Sequence, residues 1–574
     1  MMKLRGVAAS SGMAVGPAFL YRHAHRHFER HKIADSAAEC DRLSDALRRA
    51  RQELDVIYEQ ALQETGNEIA SIFQFQMLVL EDPECLTRVQ SKIQGHCITA
   101  EAALDEVGEE YIKILEGMEN EYFRDRAVDV RDVIGRVIRI LLPVEDGEHK
   151  KLKEPSIVLA EDLTPSDTIA LDKSLVLGFC VAHGGPTSHT AILARELGLP
   201  AAVGLGDGLL GIREGSTLVL DGSNGILIVS PEQSELLHYQ SLSESRKSKA
   251  RAIREEAKDP VYAQDGRRIE VTVNVGSVEG ARSGLEYGAE GVGLLRTEFL
   301  YMGRSHLPTE EEQYRVYREI ADVFGDMPVI LRTLDIGGDK EVPCLHLPQE
   351  LNPFLGLRGI RLCLARPDIF EPQLRAALRV MAERNLKIMF PMITTLAELR
   401  LAKAMLETCR SGLIREGRLV PNQCEVGIMV EVPATAILAD QFAPEVDFFS
   451  IGTNDLSQYV MAADRTNNAV SALAESFSPA ILRLVQETIR AAHLHGKWVG
   501  MCGEFAAEPL ATPILLGLGL DKFSMNPSSI PLVKQLIRSI SIPEAQEIAR
   551  VSLQLRDAQE VKTLVRDRVA GLNV

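Results

Sequence analysis

IEVTVNV (269–275), GVGLLRTE (291–298), PVILRTLD (328–335), LKIMFPMI (386–393), EVGIMVE (425–431), VDFFSIG (446–452), KWVGMC (497–502) and DKFSMN (521–526) are eight β-rich runs separated by helix-forming segments. Eight buried strands with helical crossovers in roughly 300 residues is the count of a (β/α)₈ barrel. In such a barrel the chemistry sits where the strands end. Those ends carry Arg296, Arg332, Glu431, Asn454, Asp455 and Cys502, and Arg465 follows shortly after. Any one of these charges suits a structural ion pair. The whole set at equivalent strand positions points to a rim built for a ligand. Arginines grip phosphate and carboxylate bidentately. A pair of carboxylates suits Mg²⁺, which takes one or two of them together with substrate oxygens. The implied ligand is a phosphorylated carboxylate bound with Mg²⁺.

Upstream the texture changes twice. Residues from about 34 to 143 lack strand signals, and Leu43, Leu47, Leu54, Ile57 and Leu62 recur at helical spacing, as in a bundle of helical hairpins. Between about 155 and 230 stand the runs SIVLA, SLVLGFCVA, STLVLDG and GILIVS, interrupted by one helix, SHTAILARELG, ending at Gly198. Met1 to Tyr21 reads as a strand and turn that joins this α/β unit, so the helical region is an insertion in it. Its apolar stretch is broken by Ser10, Ser11, Gly12 and Gly16 and does not read as a signal peptide. The charged stretch within 232–258 reads as a solvated linker helix.

In HGGPTSHTAILAR (183–195) the Gly184-Gly185-Pro186 turn puts His189 at a helix start. There the dipole and free N–H groups lower an imidazole pKa and favour an anion, so both a nucleophilic and a phosphorylated histidine suit the position. A histidine that merely caps the helix is the plain alternative, and His183 is a rival. The cluster His23, His25, His27 and His31 is interleaved with Arg and Lys and reads as a solvated basic segment rather than a metal tract. GLGDGLLG (204–211) lacks the strand-to-helix setting of a nucleotide fingerprint.

The chain has 574 residues, too many for one core, and implies two to four domains. Composition is that of a globular protein, 45% hydrophobic and 25% charged. The net charge of −18 argues against nucleic acid and anionic lipid, while it favours a basic protein partner. No apolar run is long enough for membrane insertion. Nine scattered cysteines without a C-x-x-C pair fit a reducing, cytoplasmic setting.

VAHGGPTSHTAILARELGLPAAVG (181–204) resembles the phosphohistidine signature of phosphoenolpyruvate-utilising enzymes, and VDFFSIGTNDLSQY (446–459) their second signature. AEGVGLLRTEFLYM, LRTLDIGGDKE, NPFLGLRGIRL, GIMVEVPATA and WVGMCGE also look like this family, most closely the Enzyme I family of the bacterial sugar phosphotransferase system. The resemblance runs from GVAASSGMAVGPA (6–18) to FSMNPSSIP (523–531). It implies a multidomain α/β protein: a swivelling phosphohistidine domain (1–20 and 145–230), an inserted helical carrier-binding subdomain (21–144), a linker helix (231–258) and a phosphoenolpyruvate-binding TIM barrel that also dimerises (259–574). It implies that phosphoenolpyruvate phosphorylates His189, which passes the group to an HPr-type carrier and releases pyruvate, the first step of sugar uptake. Thr168 would orient the imidazole. Glu431 and Asp455 would hold Mg²⁺. Arg296, Arg332, Asn454, Asp455 and Arg465 would bind the substrate, with Lys340 and Arg358 nearby, and Cys502 would supply a proton to the enolate. FQFQMLVLEDPE (73–84) and EYFRDRAVDVRD (121–132) match the carrier-docking subdomain. Met77, Leu78 and Leu80 would dock a partner unless they are core, and Glu68, Glu81, Asp82 and Glu84 would complement a basic carrier.

The sequence departs from the common pattern at His183 and at Pro186, where many members carry Arg, and at Ser457, which replaces a common Thr. An ATP-dependent pyruvate dikinase or phosphoenolpyruvate synthase would need a large nucleotide-grasp domain, for which the first 150 residues are too few and too helical. A Mg-dependent barrel lyase would not need HGGPTSHT. The absence of an extra N-terminal sensory domain favours the sugar branch.

Overall fold

A computed structural model describes residues 2–21, 32–64, 67–117, 121–142, 152–164, 167, 171–185, 188–302, 304, 306–337, 342–345, 347, 350–467 and 469–569. The chain divides into two compact units, Met1–Lys247 and Ser248–Val574.

The first unit begins with strands β1 (Met2–Arg5), β2 (Val7–Ser10) and β3 (Met13–Leu20). Five helices follow: α1 (Ser36–Glu64), α2 (Asn67–Leu80), α3 (Pro83–His96), α4 (Ala100–Glu116) and α5 (Glu121–Leu141). The chain then returns to the sheet through β4 (Ser156–Ala160), β5 (Val176–Val181), helix α6 (His189–Glu196), β6 (Ala201–Val203), β7 (Thr217–Asp221) and β8 (Ile226–Val229). The sheet runs β1-β8-β7-β3-β4-β5-β6-β2. Because β3 lies between β7 and β4, the N-terminal residues are integral to this sheet and the helices form an excursion from it. In β4 all five residues are buried. Val158 and Ala160 join the core shared with the helices, while Ile157 and Leu159 join the core on the opposite face. This is the period-two alternation of a strand covered on both sides.

Helix α6 is bounded by local chemistry. Ser188, extended at φ −63° and ψ 155°, is its N-cap, and its Oγ accepts from the Ala191 N–H. At the other end Gly198 takes φ +64°. Leu199 N–H donates to the Ala194 carbonyl at 2.9 Å and Gly198 N–H to that of Arg195 at 3.1 Å, the hydrogen-bond pair of a Schellman stop.

The second unit contains the eight expected strands: β10 (Arg268–Val275), β11 (Val292–Leu295), β12 (Val329–Arg332), β13 (Leu386–Phe390), β14 (Val426–Val430), β15 (Phe448–Ile451), β16 (Trp498–Met501) and β17 (Lys522–Met525). All neighbours pair in parallel and β17 returns to β10, with Val271 opposite Phe523, so the barrel closes. A short antiparallel strand, β9 (Val261–Tyr262), lies against β10. Leu294, Ile330, Met389, Met429, Phe448 and Cys502 fill the interior, with Trp498 packed against them. The Phe448 and Trp498 rings stack at 4.4 Å. A Cβ on Gly427 would sit 2.3 Å from the Phe448 ring, so only glycine leaves room for it. Both aromatics start their strands and plug that end of the barrel. The strand ends that carry function lie at the opposite end.

Helix α7 (Gln233–Glu256) leads into the barrel, and the division between the units falls inside it. Its end is gripped. Fully buried Lys534 donates to the carbonyls of Ala257 (2.9 Å) and Asp259 (3.1 Å) and pairs with Glu290 at 3.0 Å. Arg538 donates to the Glu256 carbonyl at 2.7 Å. Arg254 lies over the Tyr287 ring. Cations at helical C-terminal carbonyls complement the dipole there.

Candidate functional site

Arg296 directly follows β11, Arg332 ends β12, Glu431 follows β14, Asn454 and Asp455 lie in the helix after β15 (Thr453–Met461), and Cys502 follows β16. Together with Arg358 and Arg465 they line one cleft of about 230 Å³. Lys340 lies outside the described residues.

The cleft interleaves opposite charges. Arg332, buried, donates through Nη2 to Glu298 Oε1 at 2.8 Å, and its Nη1 lies 3.0 Å from Asp335 Oδ2. Arg358, also buried, donates to Asp335 Oδ2 at 3.1 Å and to Asp455 Oδ1 at 3.2 Å. Arg465 is more open, 3.9 Å from Asp455. Arg296 is exposed. Asn454 and Glu504 exchange two hydrogen bonds, Nδ2 to Oε1 at 3.2 Å and Glu504 N–H to Oδ1 at 3.1 Å. Four arginines and four carboxylates thus line the cleft. The carboxylates facing Arg332 and Arg358 hold both guanidinium pKa values above their ordinary range against burial. Arg332 Nε is buried without a partner, a donor still to be satisfied.

Asp335, Glu431 and Asp455, all buried, bring oxygens within 4.8 Å of one another. Burial, reinforced by Asp335 and Asp455, pushes the Glu431 carboxyl up to about 8, despite the two arginines. Glu431 Oε1 accepts the Met392 N–H at 2.6 Å. Met392 presents that N–H at φ +55°, a left-handed conformation costly for a non-glycine residue and common at functional sites. Three crowded oxygen donors, one driven toward its protonated form, are not fully neutralised by Arg332 and Arg358. The set fits a hard divalent cation of the Mg²⁺ kind.

Cys502 is buried, and burial raises its thiol pKa. Ser450 Oγ donates to the sulfur at 3.4 Å, and the sulfur faces the Ile451 carbonyl at 3.8 Å. The group is therefore held as a protonated thiol near neutral pH.

Asp335, Phe354 and Glu504 also line the cleft and Glu298 backs it, none of them singled out by strand-end spacing. Two of these stood in the quoted runs: Asp335 closes PVILRTLD and Glu298 closes GVGLLRTE. A carboxylate two or three residues beyond a strand-end arginine was the available signal.

In the first unit, His189 is the first residue of α6. Thr168 and Pro186 lie outside the described residues, as do His23, His25, His27 and His31. Asp167, beside Thr168 in sequence, accepts from Tyr21 Oη at 2.6 Å and from the Thr164 hydroxyl at 2.7 Å, tying the segment to the end of β3. The rival His183 is half exposed, 3.4 Å from Asp207. On the helices the docking expectation needs correction. Met77 and Leu80 are buried in the bundle core and cannot meet a partner, whereas Leu78 is 63% exposed. Asp82 caps α3 by accepting from the Glu84 and Cys85 N–H groups, Glu84 pairs with Arg88 at 2.6 Å and Glu81 with Arg51 at 3.5 Å. The side chain of Glu68 is outside the described set.

Three family models match: PEP-utilising enzyme, PEP-binding domain, over 250–542; PEP-utilising enzyme, N-terminal, over 5–126; and PEP-utilising enzyme, mobile domain, over 152–225. The chain is 47% identical over 566 residues to the phosphoenolpyruvate-protein phosphotransferase of Geobacillus stearothermophilus, covering 98% of this chain and 97% of that one. It is 46% identical to that of Bacillus subtilis (strain 168), covering 99% and 100%. An NMR solution structure of Enzyme I (nEIt) is 40% identical and covers 42% of this chain and 99% of that one, with a TM-score of 0.37.

Proposed function

The chain belongs to the phosphoenolpyruvate-protein phosphotransferases of the PEP-utilising enzyme family, and on that premise we propose which of its residues carry the reaction. The enzyme moves a phosphoryl group from phosphoenolpyruvate to protein. His189 is the acceptor, and an HPr-type carrier takes the group from it. The observation that supports this most is one cleft holding four arginines, three crowded buried carboxylates and a buried thiol.

Phosphoryl transfer is won by positioning and charge neutralisation. Arg296, Arg332, Arg358 and Arg465 provide donors for phosphate and carboxylate oxygens, and Asn454 adds an amide. Lys340 would act with them. Glu431 and Asp455, joined by Asp335, would hold Mg²⁺, which when bound supplies charge neutralisation of the phosphoryl oxygens. The His189 imidazole attacks phosphorus as the bond to the enolate oxygen breaks. The thiol of Cys502 gives its proton to the enolate carbon, forming pyruvate, and the thiolate regains a proton from water. At the start of α6 the dipole favours a neutral imidazole before transfer and an anion after it. Thr168 orients the ring.

The domain reading is part of the same proposal: 1–20 with 145–230 as the phosphohistidine domain, 21–144 as the carrier-binding subdomain, 231–258 as the linker, and 259–574 as the barrel through which the enzyme dimerises. A cytoplasmic location agrees with nine free cysteines, and among the described residues no helix is long and apolar enough to cross a membrane.

Incubation with labelled phosphoenolpyruvate and Mg²⁺ tests the core of the proposal. Acid-labile, base-stable label should appear on the chain, move to a carrier protein, and vanish in His189→Ala or after chelation of the metal. Undiminished label on His189→Ala would transfer the role to His183.

A further inference from the structure

Arg332 is held at both ends by one tripeptide, Arg296-Thr297-Glu298. Thr297 Oγ1 donates to the Arg332 carbonyl at 3.0 Å, and Glu298 Oε1 accepts from Arg332 Nη2 at 2.8 Å. The same Oε1 also accepts the main-chain N–H of Asp335 at 3.1 Å. Glu298 is 3% exposed and is not among the residues lining the cleft. One buried oxygen therefore sets the guanidinium of an anion-binding arginine and the backbone of a clustered carboxylate relative to each other.

We propose that Glu298 is a positioning residue for phosphoenolpyruvate: it fixes the direction in which Arg332 presents its guanidinium and the height at which Asp335 enters the carboxylate cluster. The inference rests on the assignment of the cleft as the phosphoenolpyruvate site. Two physical facts favour it. A guanidinium that shares its hydrogen bonds with a fixed carboxylate loses rotamer freedom before the ligand arrives, so less ordering remains for binding. A buried charge, moreover, is retained only where its partners are close and well aligned, and here one oxygen serves two donors, one from the end of β12 and one just beyond it. The orphan Nε of Arg332 marks the edge of the guanidinium that Glu298 leaves unused.

The test is a double-mutant cycle on the full-length enzyme, read by calorimetric phosphoenolpyruvate affinity in the presence of Mg²⁺ and by separate KM and kcat. Glu298→Gln keeps the shape and one acceptor oxygen, and Glu298→Ala removes both. Glu298→Gln should keep a cooperative melt and weaken phosphoenolpyruvate about tenfold, with KM rising more than kcat falls. In an Arg332→Lys background the same change should add less than about twofold, because the guanidinium it orients is gone and only its hold on the Asp335 N–H remains. A merely structural Glu298 would lower the active fraction and kcat while leaving KM alone. Unchanged affinity in Glu298→Gln, or full additivity with Arg332→Lys, would overturn the proposal. If the cleft were not the phosphoenolpyruvate site, Arg332→Lys alone would leave affinity intact, a result distinct from additivity. Should Glu298→Ala fail to fold, the Gln arm still decides.

Discussion

At the scale of single residues, the cleft shows how much a small group can do. Cys502→Ala should bind phosphoenolpyruvate nearly as the parent does, since the thiol holds no phosphate oxygen. Its turnover should fall by roughly 10²–10⁴, the usual worth of a positioned acid. Pyruvate formed in deuterated water would report the facial selectivity of protonation, and retained rate and selectivity would point to another acid. Gly503 offers a second test. A Cβ there would lie 2.0 Å from Thr453 Oγ1 and 2.7 Å from Thr453 N. Gly503→Ala must therefore displace the first turn of the helix that carries Asn454 and Asp455, and should weaken phosphoenolpyruvate by on the order of tenfold or more. The strand-end residues were legible in the sequence because a barrel sends them to one rim. Glu298 and Asp335 were not singled out: their spacing beyond Arg296 and Arg332 marks them as candidates, but it does not tell a buried carboxylate that orients an arginine from one that meets solvent.

At the scale of elements, local chemistry was the better guide where it was strong. All eight barrel runs, the helical insertion and the α6 stop at Gly198 follow from periodicity and capping. Strand β6 escaped because Ala201-Ala202-Val203 has little strand propensity, and it is held by pairing with β5 and β2 instead. The N-terminal stretch splits into three strands for the same reason: its place is set by distant partners. The helix at His189 invites a paired experiment. Ser188→Ala removes the N-cap acceptor at a cost of about 1 kcal/mol. Gly198→Ala places a side chain at φ +64° at a similar cost, in open space and without a clash. Amide exchange should quicken in α6 in both variants. Phosphorylation should suffer more in Ser188→Ala, because only that change alters the anion-binding end.

For the molecule as a whole, the division into two units predicts separable activities. A fragment comprising residues 1–258 should accept phosphate backwards from a phosphorylated carrier yet fail with phosphoenolpyruvate. Acceptance from phosphoenolpyruvate would place the donor site in the wrong unit. The proposed exchange of a phosphoryl group between the two units asks where the chain would bend, and the grip of Lys534 and Arg538 on residues 256–259 bears on that. Lys534→Met would leave the Ala257 carbonyl without its lysine donor, the Asp259 carbonyl with Arg538 alone at 3.4 Å and Glu290 with Arg268 as its remaining cation, a loss of about 3 kcal/mol by analogy with broken buried pairs. Transfer from phosphoenolpyruvate should slow in this variant, while back-transfer from the carrier to His189 should not. A rod clamped at one end behaves as a lever, with its fulcrum set by the last clamp. Helix α7, of 24 residues, is about 36 Å long at 1.5 Å per residue, so a 10° bend near its gripped end sweeps the free end through roughly 6 Å. If the two units move against each other, residues 256–259, anchored by lysine and arginine, would serve as bearing rather than as joint.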